Sequence, residues 1–277
     1  MPIVTKHSLY IASLAIVLIL AGCGGKDATL DDQARNSTDD SKLYNDAQRQ
    51  LEIGSHDRAI AMLEQLELFF PFSQYTRRAR LDLIFAYYKT GDTESAIEAA
   101  NEFIRENPTH PNVDYAYYLR GLIYFERDAN PLEKLFRVDL SERPPSAAER
   151  SLSYFAQLVR SFPESEYTPD AKQRIVHLRE RLSRFHIHVA RYYLSRRAWI
   201  AAASRARTVV EEYQDTSQVS DALEIMAQAY RKLDMEDLAL DAERVLRENN
   251  LSVDTAKKKK RGLFRRNKEV TPERPAS

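Results

Sequence analysis

The chain has one cysteine, Cys23, in 277 residues, so no disulfide can form within it and any folded unit must be held by packing alone. Glycine is also scarce. Of the seven, Gly22, Gly24 and Gly25 stand near the N-terminus, Gly54 and Gly91 between paired amphipathic segments, and Gly121 inside one. Strand-rich folds need glycine at their many turns, and this distribution leaves them unsupplied, which points to an all-α protein. The groupings that carry chemistry are missing too. There is no Gly-rich phosphate loop, no thiol besides Cys23, and no Ser, His and Asp at a nucleophile's spacing. His186 and His188 are the best pair for a metal, but two residues apart on a helix they point about 200° apart, and no metal site is expected. No catalytic residue is assigned, and an enzyme with an appended repeat domain is the third of three readings.

Long apolar runs are absent except for one. Residues 9–20 are twelve largely apolar positions behind Lys6 and His7, followed by Leu20-Ala21-Gly22-Cys23. That falls short of the roughly 20 residues that span a bilayer, and residues 1–22 have the layout of a secretory signal. Leucine, two small residues and cysteine match the bacterial lipobox, in which the Cys23 thiol is acylated and the peptide cut before it. The other reading is an ordinary secretory signal with an incidental cysteine. Several acyl chains, at roughly 0.8 kcal/mol per buried methylene, give lasting anchorage where one does not. Gly24 stands where aspartate would retain a lipoprotein in the inner membrane, which favours the outer membrane. Covalent lipid on Cys23 is the one attached group expected, with no cofactor. Residues 23–40 are polar and aperiodic, a flexible tether of about 25 Å end to end.

The formal net charge is zero, but residues 251–277 carry nine Lys or Arg against three Asp or Glu, which leaves the rest mildly acidic. Those residues show no packing pattern and are read as a disordered basic tail. Its stretch 257–266 either solubilises the chain or is drawn to anionic headgroups, at about 1 kcal/mol per basic residue near the surface. Nucleic acid is not an expected partner of an exported lipoprotein.

What is present is a segment written twice. Gly54 and Gly91, Ala59 and Ala96, Ile60 and Ile97, and Pro71 and Pro108 are each 37 apart, and each copy is two amphipathic helices. Ser55 or Asp57 is the expected N-cap of the first copy's second helix. A period near 34, with a small residue at the crossing and a closing proline, resembles the tetratricopeptide repeat. One copy cannot bury its apolar face alone, so stacked hairpins and an extended concave surface are expected. The string 70–75, FPFSQY, recurs at 162–167 as FPESEY and closes a third repeat, whose helices at 115–125 and 147–161 flank a long insertion over 126–146. That insertion either contacts a partner or is decoration. Ile175, Leu178, Leu182, Phe185, Val189 and Tyr192 then form a heptad seam on a helix over 170–195, roughly 39 Å long. It is read as a spine joining two halves, 41–167 and 168–250, with self-association as the weaker alternative. Arg174, Arg181 and Arg184 on another side are a solvated flank or a contact for an acidic partner. Fourth and fifth repeats follow, through 196–213 and 221–246, completing a right-handed superhelical solenoid of about five repeats.

The inward positions of the first helices place Tyr44, Asp82, Phe85, Tyr88, Tyr115, Tyr118 and Phe125 along a groove, with Tyr75 at the turn into the second repeat. Such a groove fits a ligand ending in an aromatic residue and bearing alternate apolar side chains. The competing reading makes these rings inter-repeat core.

The segments 81–92 (LDLIFAYYKTGD), 103–122 (FIRENPTHPNVDYAYYLRGL) and 196–205 (RRAWIAAASR), with Val138-Asp139 and Arg143-Pro144 of the insertion, resemble the BamD family over roughly residues 40–250. These are lipoproteins of the β-barrel assembly machinery on the periplasmic face of Gram-negative outer membranes. The resemblance implies binding to a BamA-type barrel subunit through its periplasmic domains, mainly by the C-terminal repeats. It also implies contacts with the other lipoproteins of the complex, and reception of C-terminal signals of unfolded β-barrel substrates by the N-terminal repeats. Arg205 would be a contact to the barrel subunit. A different periplasmic repeat lipoprotein, coordinating cell-wall or division complexes, is the alternative.

Overall fold

A computed structural model of the chain describes residues 40–127 and 145–249. The signal, Cys23, the tether, the middle of the insertion and the basic tail lie outside the described residues. Among those described, the protein is all-helical. The helices are α1 (Asp40–Glu52), α2 (His56–Phe69), α3 (Thr76–Thr90), α4 (Thr93–Glu106), α5 (Val113–Arg127), α6 (Ser146–Ser161), α7 (Thr168–Ser195), α8 (Trp199–Glu212), α9 (Val219–Arg231) and α10 (Glu236–Glu248). Each packs on its neighbours in sequence, and first helices of successive repeats also meet, α3 with α5 and α7 with α9. The result is a stack of five helical hairpins, the solenoid expected of tetratricopeptide repeats. Among the described residues no helix is long and apolar enough to cross a membrane.

Two devices make the hairpins alike. The first is a left-handed residue between paired helices, at Gly54 (φ 77°), Gly91 (φ 80°), Arg197 (φ 59°) and Asp234 (φ 57°). At each, its own N–H and the next residue's N–H turn back onto carbonyls of the preceding helix, for example Gly91 to Tyr88 at 3.2 Å and Asp92 to Tyr87 at 3.0 Å. Glycine marks this turn in the first two repeats, whereas Arg197 and Asp234 adopt it against their steric preference. Ser55 occupies the N-cap of α2 without a side-chain capping bond, while Asp92 caps α4 by accepting from the Ser95 N–H at 3.2 Å.

The second device is a small residue five positions beyond that turn. Ala59, Ala96, Ala202 and Ala239, and Ser151 at the equivalent point of the third repeat, have no exposed surface. Ser151 also donates its hydroxyl to the Gly121 carbonyl at 2.8 Å. At this crossing a Cβ on Gly121 would lie 2.6 Å from the Phe155 ring, so only glycine admits α6.

The heptad seam expected on α7 is not the buried line. Ala171, Leu178, Leu182, His186, Ile187 and Ala190 are buried, whereas Tyr192 is exposed. A straight helix of 3.6 residues per turn drifts off a 3.5 repeat, and α7 is shared among three neighbours, α6, α8 and α9. It is the first helix of the fourth repeat as well as the join, and one apolar cluster runs continuously from Leu81 on α3 to Ile225 on α9.

Gly121→Ala should cost about 1–3 kcal/mol in urea unfolding, and Phe155→Leu in the same chain should recover part of it. Arg197→Gly should act in the opposite sense, raising stability by about 1 kcal/mol through relief of the left-handed backbone.

Candidate functional site

The first helices α1, α3, α5 and α7 form one continuous inner wall whose polar and aromatic groups are linked across repeats. On α1 the Tyr44 hydroxyl donates to the Asp82 carboxylate at 3.0 Å, and the Gln48 amide donates to the same oxygen. One turn further along α3, Phe85 and Tyr88 sit 6.5 Å apart, with the Lys89 ammonium 5.7 Å and 5.9 Å from their ring centres. Burial first, and then the nearby Glu126 carboxylate of α5, push the Tyr88 hydroxyl well above the ordinary tyrosine value. Phe125 follows, with the Arg174 guanidinium of α7 4.6 Å over its face and the His177 ring 5.8 Å away. Arg174 is held by Asp170 at 2.5 Å, and Asp170 also accepts from the Tyr118 hydroxyl at 2.7 Å. Phe85, Tyr88 and Phe125 are half-buried, so each keeps part of its surface open to solvent. A wall of partly open rings with the exposed Lys89 ammonium beside two of them can take an aromatic side chain and a carboxylate together, while Arg174 is already paired with Asp170.

Several of the expected groove residues fall elsewhere. Tyr115 and Tyr118 are each 1% exposed, Tyr118 stacking on Tyr167 at 4.9 Å and Tyr115 meeting the same ring at 5.4 Å. Tyr44 is 7% exposed and stacks on the half-buried Tyr75 at 5.3 Å. These rings are packing between repeats: Tyr115 and Tyr118, three apart, share one face of α5, and that face is covered by Tyr167 at the entry to the next repeat. Asp82 is taken up by Tyr44 and Gln48 and is a tie between the first two repeats. Sequence reasoning missed Asp170 and Glu126, whose role exists only through contacts more than 35 residues away. It placed Arg174 on a flank, where the structure folds it over Phe125.

The second surface lies on α8. Arg205 is exposed and makes no ion pair or hydrogen bond among the described residues. Behind it is His186, 7% exposed, between the rings of Phe185 and Tyr213 at 5.7 Å each, with its Nδ1 unpartnered among the described residues. Burial first, and then the charge of Arg205, hold the His186 imidazole below its ordinary value. His188 points to solvent, away from His186, and no group of three metal-ligating side chains occurs among the described residues. Beyond α8, the last repeat leaves Met235, Leu238, Leu240 and Val245 exposed, and Ile200 of α8 is 71% exposed.

Comparison with known proteins finds relatives over most of the chain. A family model described as an outer membrane lipoprotein, YfiO, matches residues 36–245. An outer membrane protein assembly factor BamD from Neisseria gonorrhoeae is 42% identical over 239 residues, covering 86% of this chain and 89% of the relative. That of Neisseria meningitidis serogroup B is 41% identical with the same coverage. The Vibrio cholerae protein of that name is 34% identical over 227 residues, covering 82% of this chain and 92% of its own.

The depressed His186 gives a signed pH effect. The fold favours the neutral imidazole, so its contribution is complete above the unfolded value of about 6.5 and is lost as pH falls below it. The melting temperature should drop between pH 7.5 and 5.5, and His186→Gln should shrink that drop, by on the order of 2–4 °C per kcal/mol of linkage removed.

Proposed function

The chain belongs to the YfiO family of outer membrane lipoproteins, and from that premise we propose that it is an assembly factor for outer membrane proteins, a scaffold rather than an enzyme. In this reading acyl chains on Cys23 hold it at the periplasmic face of the outer membrane. The C-terminal repeats dock a BamA-type barrel subunit through its periplasmic domains, and other lipoproteins of the same machinery bind alongside. The N-terminal repeats receive the C-terminal signal of an unfolded β-barrel substrate.

The observation that supports the substrate role is the inner wall itself. Phe85, Tyr88 and Phe125 offer partly open rings, and Lys89 and Arg174 lie over them. A barrel strand ending in an aromatic residue presents a ring, a terminal carboxylate and alternate apolar side chains, and the wall complements each of these. Docking is supported by a different feature. Arg205 carries an uncompensated charge on α8, near an end of the solenoid where Ile200, Leu238 and Leu240 remain uncovered. A cation on an exposed apolar surface is the usual make-up of an interface anchor.

Two variants separate these roles. Arg205→Glu should lower recovery of the barrel subunit from solubilised envelopes by about tenfold, or 1.4 kcal/mol, with helical content unchanged. Full recovery would remove Arg205 from the docking surface. Phe125→Ala with Arg174→Gln should leave that recovery intact and reduce crosslinking to a peptide ending in phenylalanine by about tenfold. Depletion of the protein should lower barrel proteins as a class. Normal barrels with division or wall defects would instead favour a coordinator of cell-wall complexes.

A further inference from the structure

The turn joining α2 to α3 displays an aromatic side chain that the fold does not require. Phe72 is 99% exposed, and Leu68 (73%) and Phe69 (45%) precede it at the end of α2. The turn from α6 to α7 has the same construction. The amides of Ser73 and Ser165 donate to the carbonyls of Phe70 and Phe162 at 3.0 and 3.2 Å, and the amides of Tyr75 and Tyr167 donate to the serine hydroxyls at 3.1 and 3.2 Å. The hydroxyls of Thr76 and Thr168 each donate to the same phenylalanine carbonyls at 2.7 Å. The residue equivalent to Phe72 in that turn is Glu164, and in the two remaining turns of this kind it is Thr109 and Asp215. Three turns form with a polar residue there, so the phenylalanine serves contact with something outside the body.

What faces it follows from where the chain joins the body. Asp40, the first residue of α1, accepts a hydrogen bond from the hydroxyl of Ser73, the residue after Phe72. Residues 24–39 separate Asp40 from Cys23, a reach of at most about 60 Å, so an acyl anchor there ties the chain to the bilayer at this corner first among the described residues. The acidic groups around the tip are each engaged, Asp40 by Ser73. Glu67 is ion-paired with Arg80 at 2.8 Å, and Glu64 accepts from the Tyr87 hydroxyl. Arg77 and Arg78, at the start of α3, are exposed and make no ion pair among the described residues. An apolar tip beside uncompensated guanidinium groups matches the bilayer interface, where rings settle at headgroup depth and cations meet anionic phosphates.

We propose that Phe72, with Leu68, Phe69, Arg77 and Arg78, is a membrane contact by which the body rests on anionic phospholipid at its anchored corner. The inference rests on the acyl anchor at Cys23 proposed above. Its test uses the acylated full-length protein, in a Trp199→Phe background, in vesicles of phosphatidylethanolamine and phosphatidylglycerol with brominated acyl chains. Phe72→Trp should be quenched at least about twofold more than Glu164→Trp, because only the first lies at the interface. Equal quenching overturns the proposal. So does an unquenched Phe72→Trp in a protein whose Phe72→Glu variant loses the barrel subunit, which would make the tip a protein contact. Phe72→Glu should melt like the parent, since Glu164 already occupies the equivalent place. A mass showing Cys23 unacylated would count against the anchor instead. In that event the unacylated protein should sediment with the same vesicles several-fold less well as Phe72→Glu, and unchanged sedimentation overturns the membrane contact by itself.

Discussion

Five helix crossings, each closed by a residue no larger than serine, fix the geometry on which everything else in this protein depends. Ala59, Ala96, Ser151, Ala202 and Ala239 are wholly enclosed, and at the central crossing even a methyl group on Gly121 would collide with Phe155. Close approach at these points makes the two helices of each hairpin a single plate, and plates of one shape stack in register. A chain with no possible disulfide relies on that repetition of packing, and the apolar cluster running from α3 to α9 is its consequence.

Stacking in register brings the first helices side by side, and the inner wall arises from this adjacency. Tyr118 and Arg174 are far apart in the chain, yet both bind Asp170, and Arg174 lies over Phe125 from the neighbouring repeat. The same stacking decides which tyrosines are spent on packing. Tyr115, Tyr118 and Tyr167 close one interface and Tyr44 and Tyr75 another, so Phe85, Tyr88 and Phe125 are left partly open. A site assembled in this way offers surface recognition.

Much of this was legible beforehand. The 37-residue offset of Gly54 with Gly91 and of Ala59 with Ala96 announces the hairpins, and the pairing of FPFSQY with FPESEY marks the third repeat. The later repeats were harder to read because Arg197 and Asp234 stand where glycine would mark the turn, and a non-glycine residue in the left-handed region leaves no trace in the sequence. The α7 seam misled for a related reason. Apolar residues at heptad spacing look like one stripe, but a helix contacted by different neighbours along its length buries a line that rotates around it.

The sequence by itself determined the helical class, the hairpin period and the small residues at the crossings, because these depend on side-chain size and on spacing along the chain. Its family resemblance also set apart the arginine at 205, whereas the exposure of Phe72 came from the structure. Tertiary structure alone decided which rings are enclosed and which remain open, that Asp82 and Asp170 tie repeats together, and that Arg174 covers Phe125. Those outcomes depend on which faces of separate helices meet, and a linear pattern carries no information on the angle at which they do so.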